Sequence, residues 1–280
     1  MSPIATPFLE MSQAIIEAGG EALKKCYQCG TCTGTCPWTP ITHFNIRMLV
    51  RLSQLGLEGM DENMWSCSTC KFCVDRCPRG VEVIDLVRAI RNVYSNGGRL
   101  PQSLRAFVGS MSARGNPWSG DEAKRNDWAK GKYPLFTAET EYLNWTCCTV
   151  CYDPRNTRVA KATAMILNAA GLSWGLPPTS VQCCSESLNK VGDLELFERL
   201  KTTNLQFFDT NNVQKIIVCS PHCFDTFTKQ YGRDYMVIHL SELMSDLIKA
   251  GKITPKKDLG GVKVTYHDPC YLGRHNHIYD

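Results

Sequence analysis

Apolar residues recur at helical spacing in the first third of the chain. FNIRMLVRLSQLGL (44–57) repeats them at Ile46, Leu49, Val50, Leu52 and Leu55. VEVIDLVRAIRNVY (81–94) does so at Val83, Val87, Ile90 and Tyr94. Both patterns predict one-sided helices whose stripes pack a core. Asn96, Gly97 and Gly98 supply the stop after the second. The opening MSPIATPFLEMSQAIIEAGGEALKK reads as a further amphipathic helix, so residues 1–110 are expected to be all-helical.

The pattern then breaks. SARGNPWSGDEAKRNDWAKGKYP (112–134) is polar and rich in Gly and charge, and it predicts a linker or arm over 111–139. Trp118 and Trp128 within it predict that the arm docks on something. From about 140, strand-like runs (EYLNWTC, QKIIVC, YMVIHL, GVKVTYH) alternate with helical stretches at 156–172, 193–208, after Ser220-Pro221 and after Ser241. Ser220 is expected to cap its helix with Pro221 in the first turn, and Ser241 to cap the next. Alternating strands and helices predict a parallel α/β sheet. The fold class is therefore α followed by α/β. Cys147, Cys148, Cys219 and Cys270 fall at the carboxyl ends of predicted strands, the edge where open α/β sheets place their sites.

Composition sharpens this. The chain has 280 residues, 43% of them hydrophobic, and 16 cysteines. That cysteine count is too high for packing alone. The first residues lack the basic region of a secretory leader, and no apolar run is long enough to span a membrane. A reducing cytosol is the expected setting, where clustered cysteines signal metal or redox chemistry. A net charge of +4 without a basic stripe argues against nucleic acid as a partner. No Gly-rich phosphate loop is present in the sequence.

One motif occurs twice. Cys26, Cys29, Cys32 and Cys36 form CxxCxxCxxxC before Pro37, and Cys67, Cys70, Cys73 and Cys77 form the same run before Pro78. In ferredoxins this run wraps three thiolates around one [4Fe–4S] cluster and sends the fourth to the other cluster. The expected sets are Cys26, Cys29, Cys32 and Cys77 for one, and Cys67, Cys70, Cys73 and Cys36 for the other. Zinc is the competing reading, but it prefers CxxC pairs set apart. Trp38 and Trp65 beside the runs are expected to shield iron from water.

KCYQCGTCTGTCP and WSCSTCKFCVDRCP resemble the C subunit of heterodisulfide reductase. The region from about 140 resembles its cysteine-rich B subunit, and the fused order resembles the D subunit. The resemblance implies a B-type module with a leading cysteine, a CC pair and a closing CxxC, holding a third, non-cubane [4Fe–4S] cluster with five cysteines. Here CC is Cys183–Cys184 and the leading cysteine is Cys148 or Cys151. Cys219 and Cys223 close the set. Two departures stand out: Ser185 replaces the usual glycine, and Cys219-Ser220 shifts the CxxC to CxxxC. YHDPCYLGRHNHIYD (266–280) resembles the start of a second module led by Cys270, after which the sequence stops. The alternative is that Cys270 lends a ligand to the first module. His222 and His267 are candidates to hydrogen-bond sulfur or relay protons. Arg274, His275 and His277 either line an entrance or fray.

The resemblance implies one of two roles. The first is an electron-transfer subunit passing single electrons through two [4Fe–4S] clusters to the cysteine-rich one. The second is a reductase subunit that splits a thiol-derived disulfide there. Implied partners are a flavoprotein, cytochrome or quinone-reactive membrane subunit of one redox complex. The implied location is cytoplasmic, at the inner face of a membrane through those partners.

Overall fold

The computed structural model describes residues 7–42, 44–257 and 260–279. The chain divides into two compact units. One comprises Met1–Arg105, Ser187–Leu194 and Gly273–Ile278; the other comprises Ala106–Glu186, Glu195–Leu272 and Tyr279–Asp280.

In the first unit α1 (Leu9–Ile15) does not continue as the single helix expected. It passes into a π turn at Ile16–Gly20 and a 3-10 turn at Glu21–Lys25. Gly19 takes φ +99°, which halts α-helical geometry. Residues 1–6 of that predicted helix lie outside the described residues. Helix α2 (Ile46–Leu55) is capped by Asn45, whose side chain accepts the Met48 N–H at 3.0 Å. It ends at Gly56 in a left-handed conformation. Helix α3 (Val83–Asn96) buries Val83, Leu86, Val87, Ile90, Arg91 and Tyr94. Its apolar side chains join Ile15, Phe44, Leu49, Met60 and Met64 in one core. Each fully buried Leu, Ile or Met contributes about 1.5–3 kcal/mol.

Among the described residues the strands all lie in the second unit: β1 (Tyr142–Trp145), β2 (Trp174–Gly175), β3 (Lys215–Val218) and β4 (Met236–His239). They form one parallel sheet in the order β2-β1-β3-β4. β1 and β3 are buried along nearly their whole length, as expected for a sheet covered on both faces. On one face Ile217 packs with Ala160, Ala164 and Leu167 of α4 (Thr157–Ala169). On the other, the Trp145 ring meets Phe208 of α5 (Leu194–Thr210) and Phe227 of α6 (Pro221–Lys229) at 5.7 and 4.9 Å.

Two expectations are corrected. Helix α7 (Leu240–Lys249) starts two residues early, and its cap is His239, which accepts from the Ser241 N–H. The run 261–267 is not a strand. Val262, Val264 and Tyr266 stand 65–77% exposed. Their period-two pattern has no sheet neighbour among the described residues, and strand propensity without a partner makes no ladder. No helix among the described residues is long and apolar enough to cross a membrane.

Candidate metal centres

Both CxxCxxC loops repeat one backbone device. Gln28 and Gly30, two and four residues after Cys26, have φ +70° and +87°. Thr69 and Lys71, at the same offsets from Cys67, have φ +56° and +68°. Two left-handed residues curl each loop, and three cysteines thereby face one space. Cys26, Cys29, Cys32 and Cys77 line one small cavity. Cys36, Cys67, Cys70 and Cys73 line another. In each, three thiols come from one loop and one from the other run.

The donor chemistry suits an anionic cluster. Among the described residues neither cavity is lined by a carboxylate or imidazole, and each has one cation, Arg47 or Lys71. Among the described residues no three Cys, His, Asp or Glu side chains converge on one metal ion. The thiols surround a space, as a cluster requires. Sulfur already draws donors: the Val81 N–H reaches Cys77 Sγ at 3.3 Å and the Thr69 N–H reaches Cys67 Sγ at 3.4 Å. Cys29 is exposed, and its hydrogen bond with Thr31 lowers its pKa below the usual thiol value. Burial raises Cys32, Cys67 and Cys73. One loop is thus wetter than the other.

Side chains hold the second loop by its carbonyls. Arg91 Nη2 donates to the Met64 and Cys67 carbonyls, both at 2.7 Å. Arg274 Nε donates to the Cys70 carbonyl at 2.7 Å, and His275 Nε2 lies 2.8 Å from the Thr69 carbonyl. Arg274 and His275 therefore buttress a loop instead of lining an entrance, whereas His277 is exposed. Trp38 lines the same cavity, with its indole N–H on Ser68 Oγ at 3.2 Å. Trp65 lies under the Arg91 guanidinium.

At the carboxyl edge of the sheet, seven thiols gather. Cys219 follows β3 directly, and Cys147 and Cys148 follow the neighbouring β1. Thiol contacts join Cys147 to Cys219, Cys148 to Cys183, and Cys183 to Cys184. Cys223 Sγ lies 3.4 Å from Cys184 Sγ. Cys151 Sγ points at the Thr146 carbonyl, 3.6 Å away. The contact from Cys147 holds the Cys219 thiol below its ordinary pKa, while Cys147 itself is raised. Burial raises Cys151 to about 11. Both Cys148 and Cys151 thus sit at the site, and neither is displaced by the other.

The CC pair is held from behind. The buried Asn204 of α5 donates to the Cys183 carbonyl at 3.1 Å and to Tyr231 Oη at 3.0 Å. The Cys183 N–H donates to the Gly115 carbonyl at 2.7 Å. Ser185 has φ +67°, the left-handed conformation that the usual glycine adopts freely. Its Oγ recovers a bond to the Cys183 carbonyl at 3.0 Å.

Other expected residues are placed less closely. The Tyr271 ring, next to Cys270, packs on His222 at 4.4 Å. His267 is exposed in the unpaired 261–267 run. Two residues outside the cysteine pattern belong to the site. His239, at the end of β4, lies by the Cys219 backbone, and burial lowers its pKa. Arg125 comes from the predicted arm. It is 1% exposed, with Nη1 3.8 Å from Cys148 Sγ and Nη2 donating to the Thr146 carbonyl at 2.8 Å. Of the two tryptophans expected to dock the arm, Trp128 joins the core of the second unit and Trp118 is exposed.

Comparison with known proteins agrees with this layout. Residues 22–81 match the 4Fe-4S dicluster domain family, and residues 142–228 match the cysteine-rich domain family. The chain is 36% identical over 231 residues to an EtfAB:quinone oxidoreductase of Syntrophomonas wolfei, covering 78% of this chain and 32% of that protein. The chain thus spans about a third of that relative's length. It is 25% identical over 293 positions to the D subunit of the dihydromethanophenazine:CoB–CoM heterodisulfide reductase of Methanosarcina mazei, covering 92% and 71%. It is 40% identical over 105 residues to the C subunit of the H2:CoB-CoM heterodisulfide,ferredoxin reductase of Methanothermobacter marburgensis, covering 36% and 56%. The chain is an iron–sulfur protein in which a 4Fe-4S dicluster domain precedes a cysteine-rich domain, related to the C and D subunits of heterodisulfide reductase.

Proposed function

We propose that this chain is the electron-transfer subunit of a larger redox complex, passing single electrons through two [4Fe–4S] clusters to a third at the sheet edge. The observation that carries the proposal is the pair of cavities, each lined by three cysteines of one loop and the fourth of the other. The proposed ligands are Cys26, Cys29, Cys32 and Cys77 for one cluster, and Cys67, Cys70, Cys73 and Cys36 for the other. Cys148, Cys151, Cys183, Cys184, Cys219 and Cys223 supply the third, with Cys147 alongside. When bound, such clusters supply one-electron transfer, at potentials that ligand hydrogen bonding and burial tune.

The chain's own residues do the rest. The left-handed loop residues present the thiols, and Arg91, Arg274 and His275 fix the second loop. Cys29 is the exposed thiol of its set, so the first cavity is the face open to a donor or acceptor. That partner is a flavoprotein, cytochrome or quinone-reactive subunit, docked at the cytoplasmic face of a membrane. A disulfide-reducing role for the third site is favoured by the surplus of thiols, seven where the related module uses five.

Iron and sulfide analysis of anaerobically prepared protein tests the proposal. About twelve irons per chain supports three clusters, and about eight leaves only the two loops loaded. Zinc in place of iron sinks the reading.

A further inference from the structure

We propose that Arg125 is the built-in counter-charge of the cysteine-rich site, a positioning residue that raises the reduction potential of what Cys148 and Cys151 hold. The inference rests on the third-cluster reading above.

Arg125 is delivered by the segment that reads as a polar linker. It follows the turn Glu122–Lys124, which Asp121 caps through the Ala123 N–H. Asn126 then donates to the Pro177 carbonyl at 2.9 Å, and Trp128 inserts into the core. These anchors adjoin the arginine, so its place is set by neighbours as well as by its own bonds. The guanidinium also lies 5.5 Å from the centre of the Trp145 ring.

Among the described residues no carboxylate accompanies it, and the ionisable groups acting on Arg125 are Cys148, Cys151 and Tyr152. Its Nε is buried with no hydrogen-bond partner among them. An arginine does not shed its proton inside a protein. A buried cation without an anion costs several kcal/mol, so the site needs permanent negative charge. Protonated thiols do not provide it. Metal-bound thiolates are anionic at all working pH values and meet the need.

The sign of the effect follows. Adding an electron makes the occupant more negative. A fixed cation beside it favours that state over the oxidised one, so the midpoint potential rises. Cys148, the sulfur nearest the guanidinium, is the ligand through which the charge acts.

The test is an EPR-monitored redox titration of the full chain, loaded anaerobically, as wild type, Arg125→Lys and Arg125→Met. In Arg125→Met the third cluster becomes at least tenfold harder to reduce, a shift of about 59 mV or more to the negative for one electron. Arg125→Lys recovers most of that shift, and the midpoints of the other two clusters stay put in both. An unchanged third midpoint in a fully loaded Arg125→Met protein overturns the proposal. Should that variant lose the third cluster, iron falls from about twelve to about eight per chain. Arg125→Lys then decides: restored iron supports the counter-charge, and unrestored iron overturns it. About eight irons in the wild type instead overturns the third-cluster reading itself, before any variant is compared.

Discussion

Each cysteine-rich region buries an arginine, and the two arginines do opposite jobs. Arg91 turns its guanidinium to backbone carbonyls, of Met64 and Cys67 at 2.7 Å and of Lys190 at 3.0 Å. Arg125 spends one amine on a carbonyl, that of Thr146 at 2.8 Å, and turns the other towards a sulfur, that of Cys148. The first arginine shapes a loop, and the loop presents thiols. The second faces a thiol directly, because strand ends and the CC turn have already placed it. Local sequence builds the first region and needs a brace. Tertiary structure builds the second and is left with charge to balance.

The sharpest way to break this comparison is to remove thiols. Cys36→Ala and Cys73→Ala are expected to lose the same cluster, about four irons each, and to leave identical EPR spectra. Cys77→Ala loses the other cluster. A Cys36→Ala spectrum matching that of Cys29→Ala instead of Cys73→Ala would overturn the crossed assignment. Next in size is Arg91→Met. It strands several carbonyls in a buried space, and thermal melts should show a loss of about 3–5 kcal/mol. A loss below about 1 kcal/mol would mean that the loop needs no brace.

Backbone strain gives smaller effects. Gly30→Ala places a Cβ at φ +87° and is expected to cost about 1–2 kcal/mol. Lys71→Gly, at the matching position of the other loop, should gain about 1 kcal/mol. Denaturant midpoints that move in the same direction would deny that the loops are equivalent. The smallest effect is expected at Ser185→Gly. Relief of the left-handed strain, about 1 kcal/mol, is offset by loss of the Oγ bond to the Cys183 carbonyl, worth about the same. Stability should stay within about 0.5 kcal/mol, and a larger change in either direction would show that one term dominates.

The two regions also differ in how far the chain reveals them. The eight loop cysteines are visible as spacing, because eleven-residue runs encode their own geometry. The gathering of Cys148, Cys183, Cys184 and Cys223 needed a family resemblance, since these thiols meet across long loops. Neighbouring β1 and β3 explain why Cys147 meets Cys219. Arg125 was hidden by its setting: a charged residue in a Gly-rich polar stretch looks solvated until Trp128 and Asn126 pin it. Arg274 and His275 bond to residues more than 200 positions away, which no local pattern reports. GVKVTYH failed in the opposite way. Its alternation is sound, but a strand is a relation between segments, and no neighbour is paired with it among the described residues.

The exchange of fourth cysteines between the two cavities ties the duplicated runs together. A fragment holding only one run would leave its cavity one thiol short, with its own last thiol facing nothing. Neither copy could have been lost, or traded for another module, without disabling its twin. Each half of the repeat thereby depends on the other for a complete set of thiols.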